Sequence, residues 1–265
     1  MMKQRVIPVA LVLVALAGVA TTFAQRVPQR RESSTNSQSY SGNVRYDGKF
    51  VFVRMSYGWS GGMGGRSGGG APWAHDWPVG EEHFLKLLTA ITNMSSHTDA
   101  SSIMHFSDPE MFKFPVLYLV EPGYWSMSDG DVTNLRAYLQ KGGFLIVDDF
   151  PFRGGSHWAN FDQQMSRVFP EGQWIDLDAT NPIFHSFYEL DDISNIPTAY
   201  NLGDHPIFRA LFEDNDPKKR MLAIANYQND LSEFWEYSEK GTYMVQDTNT
   251  AYKFGINEFI YGITH

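Results

Sequence analysis

The order of strand-like and helix-like segments in residues 49–150 limits the folds open to this chain. Apolar, β-branched and aromatic runs indicate strands, and apolar residues spaced three and four apart indicate helices. The strand-like segments are 49–58, 101–107, 114–123 and 144–147, and the helix-like segments are 80–94 and 126–143. This order predicts an α/β fold with a mainly parallel sheet and helices packed on its faces. In such folds, ligands bind beyond the carboxyl ends of the strands.

The helix in 126–143 has the clearest boundaries. Ser128 is a good N-cap, and Asp129 and Asp131 place negative charge near the positive amino end of the helix. Gly142 or Gly143 supplies the left-handed residue that ends it. The carboxyl-terminal half is less regular, with helical patterns at 157–169 and 248–265 and a strand pattern at 220–228.

The amino-terminal residues predict export. Lys3 and Arg5 precede a short apolar run that ends in small residues, the pattern of a secretory signal peptide over 1–24. The polar, aperiodic residues 25–48 predict a disordered linker, and 49–265 a single α/β domain. We therefore expect a periplasmic or secreted protein that meets a membrane only through the signal segment, if this is not cleaved.

Charge and composition exclude several classes of function. Removing 1–24 leaves 19 basic and 30 acidic residues, which changes the net charge from −9 to −11. Nucleic acid and anionic lipid are poor partners for such a chain, because both bind cationic surfaces. The chain has no cysteine, which excludes disulfides, thiolate metal sites and cysteine nucleophiles. We expect no cofactor, and as partners other envelope proteins, a small molecule or a carbohydrate.

Two adjacent carboxylates follow the apolar run 144–147. Asp148 and Asp149 neighbour each other on a strand, so their side chains are expected on opposite faces rather than as a converging pair. One of them can project beyond the sheet and bind a ligand, or else cap the following turn. His157 lies a few residues further on and is the histidine that this position singles out, although a histidine in a loop often has only a structural role.

A similar polar end follows the strand pattern 220–228, at Asn229 and Asp230. If that strand runs parallel to 144–147, Asp230 and Asp149 lie at the same edge of the sheet. Two acids there can hold a divalent cation or a sugar hydroxyl.

Other motifs carry less weight. Ser60 and Ser67 each lie in a G-x-S-x-G match, but no helix follows at once and chance matches are expected in so Gly-rich a loop. The histidines have no compact metal-ligand spacing, so we expect no metal site unless one is assembled from distant residues.

An ordered set of sequence blocks resembles the bacterial family called domain of unknown function 4159. The blocks are "FPVLYLVEPG", "LRAYLQKGGFLIVDD", "HWANFDQQMSRVFPEGQW", "NPIFHSFYEL", "MLAIANYQNDLSEFWE" and "KFGINEFIYGIT". The resemblance covers nearly everything from Lys49 onward and implies a flavodoxin-like, class I glutamine amidotransferase-like three-layer sandwich. Active enzymes of that fold carry a cysteine nucleophile on the turn equivalent to 149–151, and this chain lacks it. The resemblance draws attention to Asp148, Asp149, Asn229, Asp230 and Asn257.

Two hypotheses about function follow. The leading one is a non-catalytic, exported binding or assembly module of the cell envelope. The alternative is a hydrolase of carbohydrate or peptide that uses Asp149 or Asp230 as general base, with or without a metal ion. The hydrolase requires Asp149, Asp230 and a histidine to converge in one place.

Overall fold

The computed structural model of the chain describes residues 42–59, 71–99, 101–200 and 205–265. The predicted signal peptide, most of the predicted linker, and both Ser60 and Ser67 lie outside these residues. Among the described helices, none is both long enough and apolar enough to cross a bilayer.

A seven-stranded sheet forms the centre of the fold, in the order β3-β1-β4-β6-β9-β8-β7. Its strands are β1 (Val53–Ser56), β3 (Ser102–His105), β4 (Val116–Val120), β6 (Phe144–Phe150), β7 (Trp174–Asp176), β8 (Ile207–Phe212) and β9 (Met221–Tyr227). Two further short strands, β2 (Gly58–Trp59) and β5 (Trp125–Ser126), pair with each other. In the larger sheet, β8 is antiparallel to both of its neighbours and the remaining pairings are parallel. The predicted α/β fold with a mainly parallel sheet is confirmed.

In the part of the chain that the structure describes, five α-helices cover the two faces of this sheet. They are α1 (Val79–Ile91), α2 (Asp129–Gln140), α3 (Ser156–Val168), α4 (Leu231–Glu236) and α5 (Val245–Thr264). Leu135 of α2 and Phe161 of α3 share one apolar core with Val147. On the opposite face, α1, α4 and α5 share a second core with Ile146. The result is three layers, and β4 and β6 are buried along their whole length because both of their faces are covered.

Local chemistry explains where these elements begin and end. Ser128 and Asp131 form a reciprocal capping box at the start of α2. Gly142, two residues after α2, has φ +109°, which glycine adopts without the strain that a Cβ brings. Each fully buried Leu or Ile in the two cores contributes roughly 2 kcal/mol.

Several elements of the structure were not predicted from the sequence, among them the short helix α4. Strands β7 and β8 were not predicted, and β8 introduces the antiparallel pairings of the sheet. Residues 42–48, at the end of the predicted linker, are among the described residues, and the Asn43 side chain exchanges two hydrogen bonds with the backbone of Ile103, of 2.6 and 2.9 Å.

Candidate functional site

Three neighbouring strands end in residues with left-handed backbone conformation. Glu121 follows β4 with φ 49°, Asp149 lies at the end of β6 with φ 56°, and Gln228 follows β9 with φ 60°. Asp76, in the loop before α1, has φ 62°. This conformation is uncommon for residues other than glycine, and such residues concentrate at functional sites. A functional site is therefore expected at the carboxyl edge of the sheet.

Three carboxylates lie around His75 at this edge. Its Nδ1 lies 2.6 Å from Asp149 Oδ2 and 3.9 Å from Asp230 Oδ2, and its Nε2 lies 3.2 Å from Asp76 Oδ1. Each of the four residues offers one ligand atom, and these atoms all lie within 4.8 Å of one another. The three aspartates are buried, whereas the His75 side chain is 19% exposed. We call these four residues the edge cluster.

The buried Arg54 of β1 fixes the backbone around His75. Its guanidinium donates hydrogen bonds to the carbonyls of Trp73, at 3.2 Å, and His75, at 2.9 Å. The same guanidinium forms an ion pair with Glu81 of α1. Removing one partner of such a buried pair costs about 3–5 kcal/mol. Hydrogen bonds from the buried Arg54 therefore fix the position of His75, although His75 itself lies in a loop.

The amino end of α4 positions Asp230. This residue is the N-cap of α4, where its Oδ1 accepts a hydrogen bond of 3.0 Å from the backbone N–H of Glu233. Its Oδ2 is the atom that faces His75. The Ser232 hydroxyl donates to Asp76 Oδ2 at 2.7 Å and so joins α4 to the loop that carries His75.

Asp148 and Asp149 have different partners. Asp148 Oδ2 accepts hydrogen bonds from the Tyr118 hydroxyl at 2.6 Å and from the backbone N–H groups of Leu231 and Ser232 at 2.8 and 3.2 Å. Asp148 therefore anchors the start of α4, whereas Asp149 belongs to the edge cluster. The separation arises where the pairing of β6 with β9 becomes irregular after Val147.

The edge cluster concentrates negative charge in a buried place. Burial raises the pKa of Asp230 well above its ordinary value, and the carboxylates of Asp149 and Asp76 raise it further. Burial also raises the pKa of Asp76 well above its ordinary value, although His75 acts in the opposite direction. One imidazole carries at most one positive charge against three carboxyl groups. The cluster therefore favours binding of protons or of a cation.

A second set of acids adjoins the edge cluster on its outer side. Asp76, Glu233 and Glu236 also place one ligand atom each within 4.8 Å of one another. Glu233 Oε2 is 3.7 Å from His75 Nε2, and its side chain is 21% exposed. The Tyr200 hydroxyl donates a hydrogen bond to Asp149 Oδ1. The open side of the site is therefore lined by a carboxylate and polar groups.

The other residues singled out from the sequence have different roles. His157, on α3, packs edge-to-face against Tyr124 and lies 3.8 Å from Glu121, and burial lowers its pKa to about 4. Asn229 accepts a hydrogen bond of 2.9 Å from the N–H of Asp230. Asn257 binds the backbone of residues 187 and 188. None of these three belongs to the edge cluster as the structure describes it.

His75 and Asp76 were missed by sequence reasoning. They lie in "APWAHDWPVG", between the Gly-rich loop and α1, far along the chain from Asp149 and Asp230. An adjacent His-Asp pair close before a helix was the available signal. The sequence alone does not show that the fold places this loop beside the ends of β6 and β9, where Asp149 and Asp230 lie.

The chain was compared with protein-family models and with curated proteins. The family model described as Domain of unknown function (DUF4159) matches residues 49–263, most of the chain. Curated proteins gave no match.

Proposed function

This chain belongs to the family of Domain of unknown function (DUF4159), and we propose that it is a hydrolase that binds a divalent cation through the edge cluster. The observation that carries the proposal is the convergence of His75, Asp76, Asp149 and Asp230 within 4.8 Å. This is the arrangement of Asp149, Asp230 and a histidine that the hydrolase hypothesis requires, with His75 in the place of His157.

The ligand set fits a divalent cation. Carboxylate oxygens suit Mg²⁺, Ca²⁺ and Mn²⁺, and imidazole suits Zn²⁺, Fe²⁺ and other transition ions. Three carboxylates with one imidazole favour Mn²⁺ or Zn²⁺ over Ca²⁺, which binds through oxygen ligands. Burial, with the neighbouring carboxylates, raises the pKa of Asp76 and Asp230, and such an ion also compensates the negative charge of the cluster.

The residues around the cluster have separate tasks in this proposal. A bound divalent ion would supply an activated water, since coordination to the ion lowers the pKa of the water to about 7 in zinc enzymes. Glu233 lies on the open side, within reach of His75, and accepts the proton of the attacking water. Tyr200 orients Asp149 through its hydrogen bond. The substrate, a carbohydrate or a peptide, enters from the side of Glu233.

The proposed place of action is the cell envelope, on the strength of the signal-peptide pattern in 1–24. We also propose the class I glutamine amidotransferase-like version of the α/β fold. Support comes from Asp149, whose left-handed backbone directly follows the fully buried run 144–148, at the turn where such enzymes carry their nucleophile. The leading sequence hypothesis, a non-catalytic binding module, becomes the second choice because His75 completes the group of residues that a hydrolase needs.

Calorimetric titration of the full chain with Mn²⁺, and in parallel with Zn²⁺, Mg²⁺ and Ca²⁺, tests cation binding. We expect binding that His75→Ala and Asp230→Asn each weaken at least about tenfold. Asp99→Asn and His97→Gln, which change residues outside the cluster, are the matched controls and should leave the titration unchanged. Hydrolysis is then assayed on glycan and peptide panels with and without the bound ion. Equal binding by His75→Ala, Asp230→Asn and the wild type refutes the site, and an ion-loaded protein inactive on every panel substrate refutes the hydrolase.

A further inference from the structure

A second polar group lies within the apolar core on the α5 side of the sheet. Asp148 of β6, Asn226 of β9 and Glu258 of α5 are each 0% exposed. Asp148 and Asn226 directly follow Val147 and Ala225, which are paired neighbours in the sheet. We call these three residues the core triad. It lies behind the edge cluster, since Asp148 immediately precedes Asp149.

Five side-chain atoms of the core triad have no hydrogen-bond partner among the residues that the structure describes. They are Asp148 Oδ1, Asn226 Oδ1 and Nδ2, and Glu258 Oε1 and Oε2. An unsatisfied buried polar atom costs about 1–3 kcal/mol, and native proteins contain few of them. Glu258 is close enough to interact with both Asp148 and the Asn226 side chain, so the three side chains are placed to satisfy one another.

The number of hydrogen-bond donors in the core triad indicates how its side chains pair. If Glu258 is ionised, the triad offers only the two N–H bonds of the Asn226 amide, and Asn226 Oδ1 is left without a donor. If Glu258 carries a proton, its O–H donates to Asn226 Oδ1. The two amide N–H bonds are then available to Asp148 Oδ1 and to the carbonyl oxygen of Glu258. With Asp148 as a carboxylate, the form that the three donors to its Oδ2 favour, only a protonated Glu258 gives each of the three groups a partner.

The charges in the vicinity favour the same form. No Lys, Arg or His of the described residues lies within 4.0 Å of the carboxyl oxygens of Glu258 or Asp148. Burial raises the pKa of Glu258 well above its ordinary value, the Asp148 carboxylate adds to this, and the Asn226 side chain opposes both. Asp148 is better placed to keep its charge, because its Oδ2 accepts three hydrogen bonds.

We propose that Glu258 is a positioning residue that keeps its proton and holds Asp148, through Asn226, against the amino end of α4. The connection runs from α5 to β9, then to β6, and through Asp148 Oδ2 to the N–H groups of Leu231 and Ser232. Asp230 and Ser232, at that end of α4, contact His75 and Asp76 respectively. The effect on cation binding rests on the proposed function, whereas the proton on Glu258 does not.

Infrared difference spectroscopy tests the proton independently of any cation. At neutral pH the difference spectrum between the wild type and Glu258→Gln should contain one C=O stretching band of a buried carboxylic acid, beside any bands that Asp76 and Asp230 give in both proteins. A difference spectrum without this band overturns the proposal.

Mn²⁺ titration tests the positioning. Glu258→Gln keeps a neutral donor and should bind within about threefold of the wild type, whereas Glu258→Leu should bind at least about tenfold more weakly. Ile256→Ala, a change at another buried position of α5, is the control for destabilisation and should leave the affinity unchanged. Equal affinities for Glu258→Leu and Ile256→Ala overturn the positioning role. If the wild type itself binds no Mn²⁺, the proposed function fails, and the infrared result alone decides the state of Glu258.

Discussion

His75 Nδ1 and Asp149 Oδ2 lie 2.6 Å apart, although 74 residues separate them in sequence. Asp149 is carried by the end of β6, and His75 by a loop that Arg54 holds from within the core. Three buried carboxylates thus surround one imidazole, and the fold determines their positions.

We predict that Asp149→Asn weakens Mn²⁺ binding at least about tenfold, or about 1.4 kcal/mol, with little loss of stability. Asparagine tolerates the left-handed backbone at φ 56° almost as well as aspartate, so the change removes mainly the charge. Calorimetric titration and urea unfolding measure the two effects. Unchanged affinity means that Asp149 is not a ligand.

Arg54→Met should lower the free energy of unfolding by about 3–5 kcal/mol, because it leaves Glu81 charged and unpaired in the core. The double variant Arg54→Met with Glu81→Leu should regain much of that loss. Its affinity for Mn²⁺ should nevertheless remain below that of the wild type, since the carbonyls of Trp73 and His75 no longer have their guanidinium donor. A double variant that is stable and binds normally would show that Arg54 does not position His75.

His157 is expected to be a packing residue. A Cβ built on Gly123 would lie 2.0 Å from the His157 ring, so Gly123→Ala should destabilise the protein by about 1–3 kcal/mol. His157→Ala should relieve part of this loss when combined with Gly123→Ala, and by itself should leave Mn²⁺ binding intact. Thermal unfolding and titration of the single and double variants check both statements. Loss of cation binding in His157→Ala would instead place His157 in the site.

The cation-free protein should lose stability as the pH rises. Asp76 and Asp230 have pKa values raised above those of the unfolded chain, so they bind more protons when folded. Their contribution is present below their unfolded pKa, near 3.8, and is lost as the pH rises through their folded values. Urea unfolding between about pH 4 and pH 8 should show this decline, and Asp230→Asn should reduce it. An identical pH dependence in wild type and Asp230→Asn contradicts the assignment.

Five strands of the sheet and the four longer helices, α1, α2, α3 and α5, could be predicted from local patterns. The apolar runs that became β4 and β6 are fully buried, as their composition predicts, and Ser128 caps α2 as expected. Strand β8 escaped prediction because "IFRALF" does not alternate strictly between apolar and polar residues. Strand β8 runs opposite to its neighbours β7 and β9. This direction depends on the connection between β8 and β9, and no single residue predicts it.

The site was predicted only in part. A common edge for Asp149 and Asp230 followed from the assumption that 220–228 is a parallel strand, and the pairing of β6 with β9 is parallel. The partner histidine could not be predicted, because a loop residue such as His75 has no periodicity that fixes its position. Its place depends on long-range contacts such as that between Arg54 and the His75 carbonyl.

Diffraction from crystals of the full chain grown with Mn²⁺, recorded at the manganese absorption edge, tests the edge cluster most directly. We predict an anomalous peak about 2.0–2.3 Å from ligand atoms of His75 and of at least two of Asp76, Asp149 and Asp230. The peak should disappear in His75→Ala crystals grown under the same conditions. Manganese bound only elsewhere, or an edge cluster that keeps its 2.6 Å contact between His75 and Asp149 without manganese at saturating concentration, contradicts a cation-binding centre.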